Sequence, residues 1–295
     1  MTTTPKRIAF IDHDLENWHA NTFHRIISTT LAARGFTVSG CWAQNAERGR
    51  QWAVKTGVPF IEDAAALDRM TDHYMVLAPS NPETHLELCR RVVPFGKPTY
   101  VDKTFAPTID AAQAIFALAD RHGVALQTSS ALRYTNVQAV VAAMERDSLR
   151  HMVVWGGGSS FGEYAIHPVE LVVSCMGAGA TAVMRRGSGN HAQLLVDFTG
   201  GRTAVVNVST EGKTPFMATL TTAAGTTHVP VIDKALFDDT TAAILDFFTA
   251  GRAQVERDQS LMIRRILDAA EQPAVREGLV PLAAASALAK AQRSG

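Results

Sequence analysis

Short apolar runs alternate with amphipathic stretches along roughly the first 125 residues, and this rhythm is typical of βαβ units. The pattern predicts strands near residues 7–11, 36–42, 74–78, 98–102 and 124–128. It predicts helices near residues 18–34, 46–56, 83–95 and 108–122. Because strands that alternate with helices form parallel sheets, this segment is predicted to be an α/β domain on a doubly wound parallel sheet.

The rhythm changes after the fifth predicted strand. Residues 180–232 are β-like runs separated by short turns, which is typical of a mostly antiparallel sheet. The other predicted elements are a helix at 135–146, a strand at 151–155 and helices at 163–175, 236–250 and 258–272. We therefore predict a first domain over 1–128 and an α+β domain with an open sheet over 129–295. The closing helices at 236–272 are in a position to pack back on the first domain.

Composition excludes several classes of partner. The 295 residues are 46% hydrophobic and 19% charged, which is typical of a globular protein with a substantial core. Lys and Arg together number 28, as do Asp and Glu, so no net positive charge attracts nucleic acid or an anionic membrane. The three cysteines form no C-x-x-C pair, which argues against a disulfide framework or a zinc site. No signal peptide or membrane span is recognisable, so we expect a cytoplasmic protein.

The loop after the first predicted strand has an unusual composition. A dinucleotide-binding domain normally carries G-x-G-x-x-G here, because the backbone must turn tightly and approach a pyrophosphate without a Cβ. In "RIAFIDHDLENWHANTFHRII" the loop instead holds Asp12, Asp14 and Glu16, and the first glycine is Gly35. The sequence therefore leaves open a cofactor site with altered chemistry or a fold that no longer uses a cofactor.

Lys103 is the first candidate for chemistry. It follows the predicted strand at 98–102, and ligands of open parallel sheets bind at the carboxyl ends of the strands. A lysine at that point could hold a substrate hydroxyl and share in proton transfer. The alternative is an ordinary surface lysine.

Glu163 and His167 are the second candidate. They are four residues apart on a predicted helix and therefore share a face. A carboxylate beside an imidazole orients the ring and raises its basicity, which suits a base that receives a hydroxyl proton. The alternative is a helix-surface pair of little energetic consequence.

Two further patterns are weaker. "GSSFG" around Ser160 matches the G-x-S-x-G of serine hydrolases, but no HGGG-type oxyanion segment precedes it and the following region is predicted to be antiparallel. His13, His19 and His24 are spaced by five or six residues, so they do not share one helical face as metal ligands would. A structural or substrate-contacting role is expected for these histidines, and no metal is expected.

Four segments make the chain similar to the Gfo/Idh/MocA family of glucose–fructose-oxidoreductase-like dehydrogenases. They are "NAERGRQWAVKTGVPFIEDAAAL" (45–67), "LAPSNPETHLELCRRVVPFGKPTYVDKTFAPT" (77–108), "FGEYAIHPVE" (161–170) and "ILDFFTAGRAQVERDQSLMIRRILDAAEQ" (244–272). The second resembles the family's stretch from T-P-x-x-x-H to E-K-P, which reads Asp102-Lys103-Thr104 here. The third resembles D-x-G-x-H-x-x-D, with His167 kept.

The resemblance implies a Rossmann domain, a substrate domain around an open sheet, and NAD(P)-dependent oxidation of a hydroxyl group on a small-molecule sugar or polyol. It implies that Lys103, Glu163 and His167 form the catalytic group. A hydride would leave the substrate carbon for the nicotinamide while His167 takes the hydroxyl proton and Lys103 fixes the oxygen. The resemblance also implies a homo-oligomer formed through the open face of the second-domain sheet.

The resemblance assigns contacts as well. The residues expected to contact the cofactor, NAD or NADP, are Asp12, His13, Asn17, Ala43, Pro79, Asn81, His85 and Asp102. Arg133 and Tyr134 are expected to contact the substrate, with simple packing as the alternative. Ala43 stands where an acidic residue usually holds the adenosine ribose, so the choice between NAD and NADP stays open. The alternative function is a non-redox member of the family that has lost ordinary dinucleotide binding and binds a sugar-like ligand or serves as a partner subunit.

Overall fold

The computed structural model describes residues 4–145, 148–187 and 189–282. Its strands are β1 (Lys6–Asp12), β2 (Phe36–Ala43), β3 (His73–Val76), β4 (Thr99–Val101), β5 (Leu126–Thr128), β6 (His151–Gly157), β7 (Ala180–Arg186), β8 (His191–Phe198), β9 (Arg202–Ser209), β10 (Met217–Thr222), β11 (Gly225–Pro230) and β12 (Val280–Pro281). Its helices are α1 (Trp18–Ser28), α2 (Ala46–Thr56), α3 (Ala64–Arg69), α4 (His85–Val92), α5 (Ile109–Arg121), α6 (Asn136–Ala142), α7 (Phe161–Tyr164), α8 (Ile166–Met176), α9 (Leu236–Ala250) and α10 (Arg257–Glu271).

The chain divides into two compact units. The first combines Met1–Ser129 with Phe237–Glu256, and the second combines Ser130–Leu236 with Arg257–Gly295. The two helices that close the pattern of the chain therefore belong to different units, α9 to the first and α10 to the second.

The first unit is built on a five-stranded parallel sheet with the strand order β2-β1-β3-β4-β5. The strands β1, β3, β4 and β5 are largely buried, as expected for a parallel sheet covered by helices on both faces, whereas the edge strand β2 is only partly buried. Parallel strands bring their carboxyl ends to one edge, so the loops after β1, β2, β3 and β4 all start from the same edge of the sheet.

Two local differences from the predicted helices have simple causes. The helix predicted over 18–34 ends at Ser28, because the chain turns there and Gly35 closes the segment in the left-handed region, with φ +73°. The unpredicted helix α3 follows its N-cap Asp63, whose side chain accepts from the N–H of Ala66 at 2.7 Å. A helix of six residues is too short for its hydrophobic periodicity to be recognised in the sequence.

The second unit is built on a seven-stranded sheet with the order β11-β10-β6-β9-β8-β7-β12. β6 and β9 are parallel neighbours, and the other pairs are antiparallel. Alternate residues of β8 and β9 point into a core that includes α8 and α10. The predicted fold class, a parallel α/β unit followed by an α+β unit with a mostly antiparallel sheet, is confirmed.

The helix α9 completes the core of the first unit. Ile244, Leu245, Phe247 and Phe248 are buried in the same cluster as Phe10 of β1. Burying these side chains is the main favourable contribution that α9 makes to folding.

Among the described residues, no helix is long and apolar enough to cross a membrane.

We expect Phe247→Ala to lower the free energy of unfolding by about 3–5 kcal/mol, because Phe247 is fully buried and its truncation leaves a cavity. Equilibrium chemical denaturation measures the change. Val54→Ala is the control, since Val54 is 85% exposed and its truncation should change the value by no more than about 0.5 kcal/mol. Equal losses in the two variants would contradict the assignment of α9 to this core.

Candidate functional site

The loop after β1 is organised around a buried carboxylate. Asp12, the last residue of β1, is 1% exposed, and its Oδ1 accepts hydrogen bonds from the N–H groups of His13 at 2.6 Å and Asp14 at 3.3 Å. Its Oδ2 accepts from Nδ2 of Asn17 at 2.9 Å. Burial raises the pKa of the Asp12 carboxyl, and the hydrogen bonds from Asn17, Ala78, Asp14 and His13 oppose that rise. The carboxylate thus fills the turn that a glycine loop would leave open.

The rest of this loop is packed rather than open. Leu15 is fully buried and has φ +62°, in the left-handed region that a residue with a Cβ rarely adopts. Asn17 then caps α1, because its Oδ1 accepts from the N–H of Ala20 at 2.9 Å. Side-chain contacts of Leu15 and Asn17 therefore connect β1 to α1 in this loop. A glycine fingerprint would make that connection without side chains.

Helix α2 supplies positive charge to the same loop. The side chain of Arg48 lies 3.5 Å from Asp14, and Nζ of Lys55 lies 2.6 Å from Glu16. Arg48 also donates to the backbone oxygen of Glu16 at 3.3 Å. These partners offset two of the acidic side chains that the sequence places beside the expected phosphate position.

His13 and Ala43 join the ends of β1 and β2. Nδ1 of His13 is 3.0 Å from Oε1 of Gln44, and Ala43 pairs with Asp12 at the end of the two strands. Ala43 is 1% exposed, and Gly49 of α2 packs so closely that an added Cβ would lie 2.9 Å from the Ala43 methyl group. The methyl group of Ala43 thus contacts α2, and only its backbone remains for the contact with the cofactor that the resemblance implies.

Lys103 lies just after β4, buried at 7% exposure, and its Nζ donates to the backbone oxygen of Pro79 at 3.2 Å. Pro79 belongs to the loop after β3, so the lysine links two loops at the carboxyl edge of the sheet. The backbone N–H of Lys103 donates to Oδ1 of Asp102 at 2.8 Å. The predicted catalytic lysine is therefore buried, with its ammonium group fixed by a hydrogen bond, and is not a surface lysine.

His85 lies between the loops after β3 and β4. Its ring is fully buried, with Nδ1 2.9 Å from the backbone oxygen of Phe105 and Nε2 2.6 Å from that of Leu77. Both ring nitrogens face backbone carbonyls and the ring is fully buried, and the contact with the cofactor that the resemblance implies for His85 stays a prediction. The histidine holds the loops after β3 and β4 together.

Nearby Asn81 starts the short turn before α4, where its backbone oxygen accepts from the N–H of Thr84 at 2.9 Å.

His19, for which the sequence predicted a structural or substrate-contacting role without naming a partner, also lies at this edge. Its Nδ1 lies 2.5 Å from Oδ2 of Asp102, and the two side chains are 12% and 2% exposed. A carboxylate only accepts, so the imidazole N–H is the donor. The ring is held by edge-on contacts with Trp18, Phe23 and Phe237 at centroid distances of 5.6, 5.8 and 5.2 Å. No local signal predicts a bond across 83 residues.

Glu163 and His167 lie on the successive helices α7 and α8 of the second unit instead of on one continuous helix. The Glu163 carboxylate accepts from Oγ of Ser159 at 3.2 Å. The His167 ring packs near the rings of Tyr164 and Phe216, at centroid distances of 5.8 and 6.3 Å. The catalytic roles expected for both residues stay predictions.

Ser160 is the N-cap of α7, since its Oγ accepts from the N–H of Glu163 at 3.3 Å. Gly158 precedes it because Tyr164 lies directly over that position, where an added Cβ would meet the ring at 2.0 Å. Helix capping and this close approach account for Ser160 and Gly158 of the "GSSFG" pattern without a nucleophile.

Arg133 forms a buried ion pair inside the second unit. Its Nε lies 2.6 Å from Oε1 of Glu170, and its Nη1 donates to Gln259 at 2.8 Å. The other Glu170 oxygen accepts from the N–H of Ser130 at 2.6 Å. The Nη2 atom of Arg133 is buried without a hydrogen-bond partner from the residues that the structure describes, and the substrate contacts expected of Arg133 and Tyr134 stay predictions. Among the described residues, no group of three or more His, Cys, Asp or Glu side chains could hold a metal ion.

The start of α1 offers N–H groups to an anion at the carboxyl edge of the first sheet. The first N–H groups of a helix lack intrahelical acceptors and attract anions. In the described part of the chain, Asn17 caps only the N–H of Ala20 in that first turn, whereas the amides after Asp12 already bond its carboxylate. Arg48 and Lys55 limit the repulsion that the other acidic side chains would exert on a phosphate.

Residues 17–130 match the family model GFO_IDH_MocA, described as an oxidoreductase family with an NAD-binding Rossmann fold. The resemblance predicted from the sequence is confirmed by this match, which spans most of the first unit. The match also confirms the prediction that the protein is an oxidoreductase with NAD or NADP as its cofactor. A search of curated proteins finds no relative that matches the sequence.

Several solved structures share the fold over 95–96% of this chain. GenD2 from gentamicin A biosynthesis, in complex with NAD, has a TM-score of 0.79 at 15% identity, with 96% of this chain and 98% of that chain covered. Myo-inositol 2-dehydrogenase from Lactobacillus plantarum has a TM-score of 0.78 at 14% identity, covering 95% and 100%. The apo scyllo-inositol dehydrogenase from Lactobacillus casei has a TM-score of 0.79 at 12% identity, covering 96% and 100%. At these identities the likeness establishes the fold.

We expect His19→Leu to lower the free energy of unfolding by about 1–3 kcal/mol, because it leaves the buried Asp102 carboxylate without its imidazole donor. His19→Asn should recover part of the loss, since its amide N–H can take the place of Nδ1. Chemical denaturation measures both. His24→Leu, on the same helix, is the control, because the half-buried His24 ring packs on Trp52 at 5.5 Å. A loss no greater than the control's would show that the His19–Asp102 bond contributes nothing.

Proposed function

Because residues 17–130 match the model of the Gfo/Idh/MocA oxidoreductases, we propose that this protein is an NAD(P)-dependent dehydrogenase that oxidises a secondary hydroxyl group of a sugar or polyol. The observation that carries the proposal is the buried Lys103, which lies at the carboxyl edge of a parallel sheet and within the residues that match the family model. Ligands of such sheets bind at this edge. The polyol class is supported by the inositol dehydrogenases among the structures that share the fold.

The bound nicotinamide would supply one thing, an acceptor for the hydride that leaves the substrate carbon. The protein must then remove the hydroxyl proton and stabilise the oxygen as it becomes a carbonyl. We assign the first role to the imidazole of His167 and the second to the ammonium of Lys103. The carbon loses a hydride and the oxygen loses a proton, so the two transfers together make the ketone.

The environment of Lys103 supports its part of this assignment. The bond to the Pro79 oxygen fixes Nζ beyond the end of β4, and the bond from the Lys103 N–H to Asp102 fixes the backbone. A cation held in a buried position stabilises developing negative charge without reorganising during the reaction. Glu163 would orient His167, as the resemblance implies. The homo-oligomer expected through the open face of the second sheet remains part of the proposal.

Binding of the cofactor is the first test. We expect NADH or NADPH to raise the melting temperature, because a ligand of the native state adds about 2.7 kcal/mol of stability at a hundred times its Kd. Differential scanning fluorimetry with each nucleotide, against nicotinamide alone as the control, measures the shift. No shift with either nucleotide would contradict the proposal, and a shift with sugars alone would favour the non-redox alternative.

Substitution of Lys103 tests the chemistry separately. We expect Lys103→Met to lower kcat by about 10²–10⁴-fold with little change in the Kd for cofactor, because the lysine acts on the substrate oxygen during the chemical step. Reduction of the nicotinamide is followed with a panel of inositols and sugars. The control is Lys213→Met, at an exposed position of the second unit. Wild-type turnover in Lys103→Met would show that the site is misassigned.

A further inference from the structure

The turn after β1 already contains an anion. In loops that bind dinucleotides, backbone N–H groups and the start of the following helix face the pyrophosphate. Here the N–H groups of His13 and Asp14 donate to Oδ1 of Asp12 instead, at 2.6 and 3.3 Å. A carboxylate and a phosphate both offer anionic oxygen acceptors, so they compete for the same donors.

The Asp12 carboxylate is held on its other side too. Its Oδ2 accepts from Nδ2 of Asn17 at 2.9 Å, so the residue that caps α1 also anchors the carboxylate. Asp12 is 1% exposed, and the neighbouring Leu15 is fully buried. The group cannot swing away from the turn without leaving a buried cavity and several unsatisfied donors.

Asp12 differs from the other acidic residues of the loop in its charge balance. Asp14 lies beside Arg48, and Glu16 lies beside Lys55. No lysine or arginine of the described chain pairs with Asp12, whose charge is balanced by hydrogen-bond donors alone. Its repulsion of a nearby phosphate is therefore less compensated than that of its two neighbours.

We propose that the Asp12 carboxylate is an internal anion that fills the phosphate-binding turn and limits the affinity of this chain for a dinucleotide, so that the pyrophosphate is held mainly by the first turn of α1. This inference rests on the proposed function, because it concerns the same cofactor. It makes Asp12, rather than the lack of glycines in general, the residue that sets the affinity.

Two substitutions separate the charge from the occupied space. Asp12→Asn removes the charge and keeps an oxygen that can accept from the amides of the turn. Asp12→Gly also vacates the turn. We expect Asp12→Asn to bind NADH at least about threefold more tightly than wild type, and Asp12→Gly about tenfold more tightly. The Kd is measured from energy transfer between tryptophan and bound NADH, for which Trp18 at the start of α1 is well placed. Asp110→Asn, an exposed site on α5, is the control with the same change in net charge.

The inference is overturned if both Asp12 variants bind NADH and NADPH within about threefold of wild type or more weakly, including the case in which neither variant binds at all. If Asp12→Gly does not fold, Asp12→Asn decides. A second experiment uses only the wild type and compares how tightly ADP and adenosine bind, by their displacement of NADH. ADP should bind less than about tenfold more tightly than adenosine, and a larger difference would overturn the inference.

The outcomes also distinguish this inference from the proposed function. The proposed function is judged on the wild type, by whether NADH or NADPH binds at all. The inference is judged on the ratio between variant and wild type. A wild type that binds neither nucleotide beside an Asp12 variant that binds one would support the internal anion and contradict the proposed dehydrogenase.

Discussion

The first unit depends on a buried carboxylate at the end of β1. Asp12 sits where the chain must turn from a strand into a helix, and a buried charge is tolerated only when donors surround it. The donors come from the turn itself and from the cap of α1. In other loops of this kind, the conformational freedom of glycine allows the tight turn. Here the hydrogen bonds to the Asp12 carboxylate stabilise the turn instead. The same bonds leave fewer donors for a phosphate.

The carboxyl edge of the first sheet is tied together by long-range polar contacts. His19 on α1 bonds Asp102, Asp102 bonds the backbone of Lys103, and Lys103 reaches back to Pro79. His85 fixes the loops from the other side. The side-chain contacts of His19, Lys103 and His85 each join segments that follow different strands, so the parallel order of β1, β3 and β4 is what makes the cluster possible. Preorganisation of this kind is what a site for charge stabilisation needs.

The elements of the chain were largely predictable from periodicity. The pattern predicted β1 to β5, α2 and α5 close to their observed bounds, because long amphipathic helices and buried strands have distinct periods. The short helix α3 escaped, and the predicted helix over Glu163 and His167 is divided at Ala165. The position of Lys103 after a strand was also predictable, whereas its burial was not, since a lysine at a strand end reads equally well as a surface residue.

The sequence by itself determined the order of the elements, the family resemblance and the absence of glycine from the first loop, because these depend on residue types and local periods. Only the tertiary structure decided that Asp12 points into the turn, that Arg48 and Lys55 balance its acidic neighbours, and that His19 meets Asp102. The physical reason is the same in each case. Partners distant in sequence are chosen by strand order and helix packing, and a one-dimensional pattern carries no record of which side chains those arrangements bring within hydrogen-bond distance.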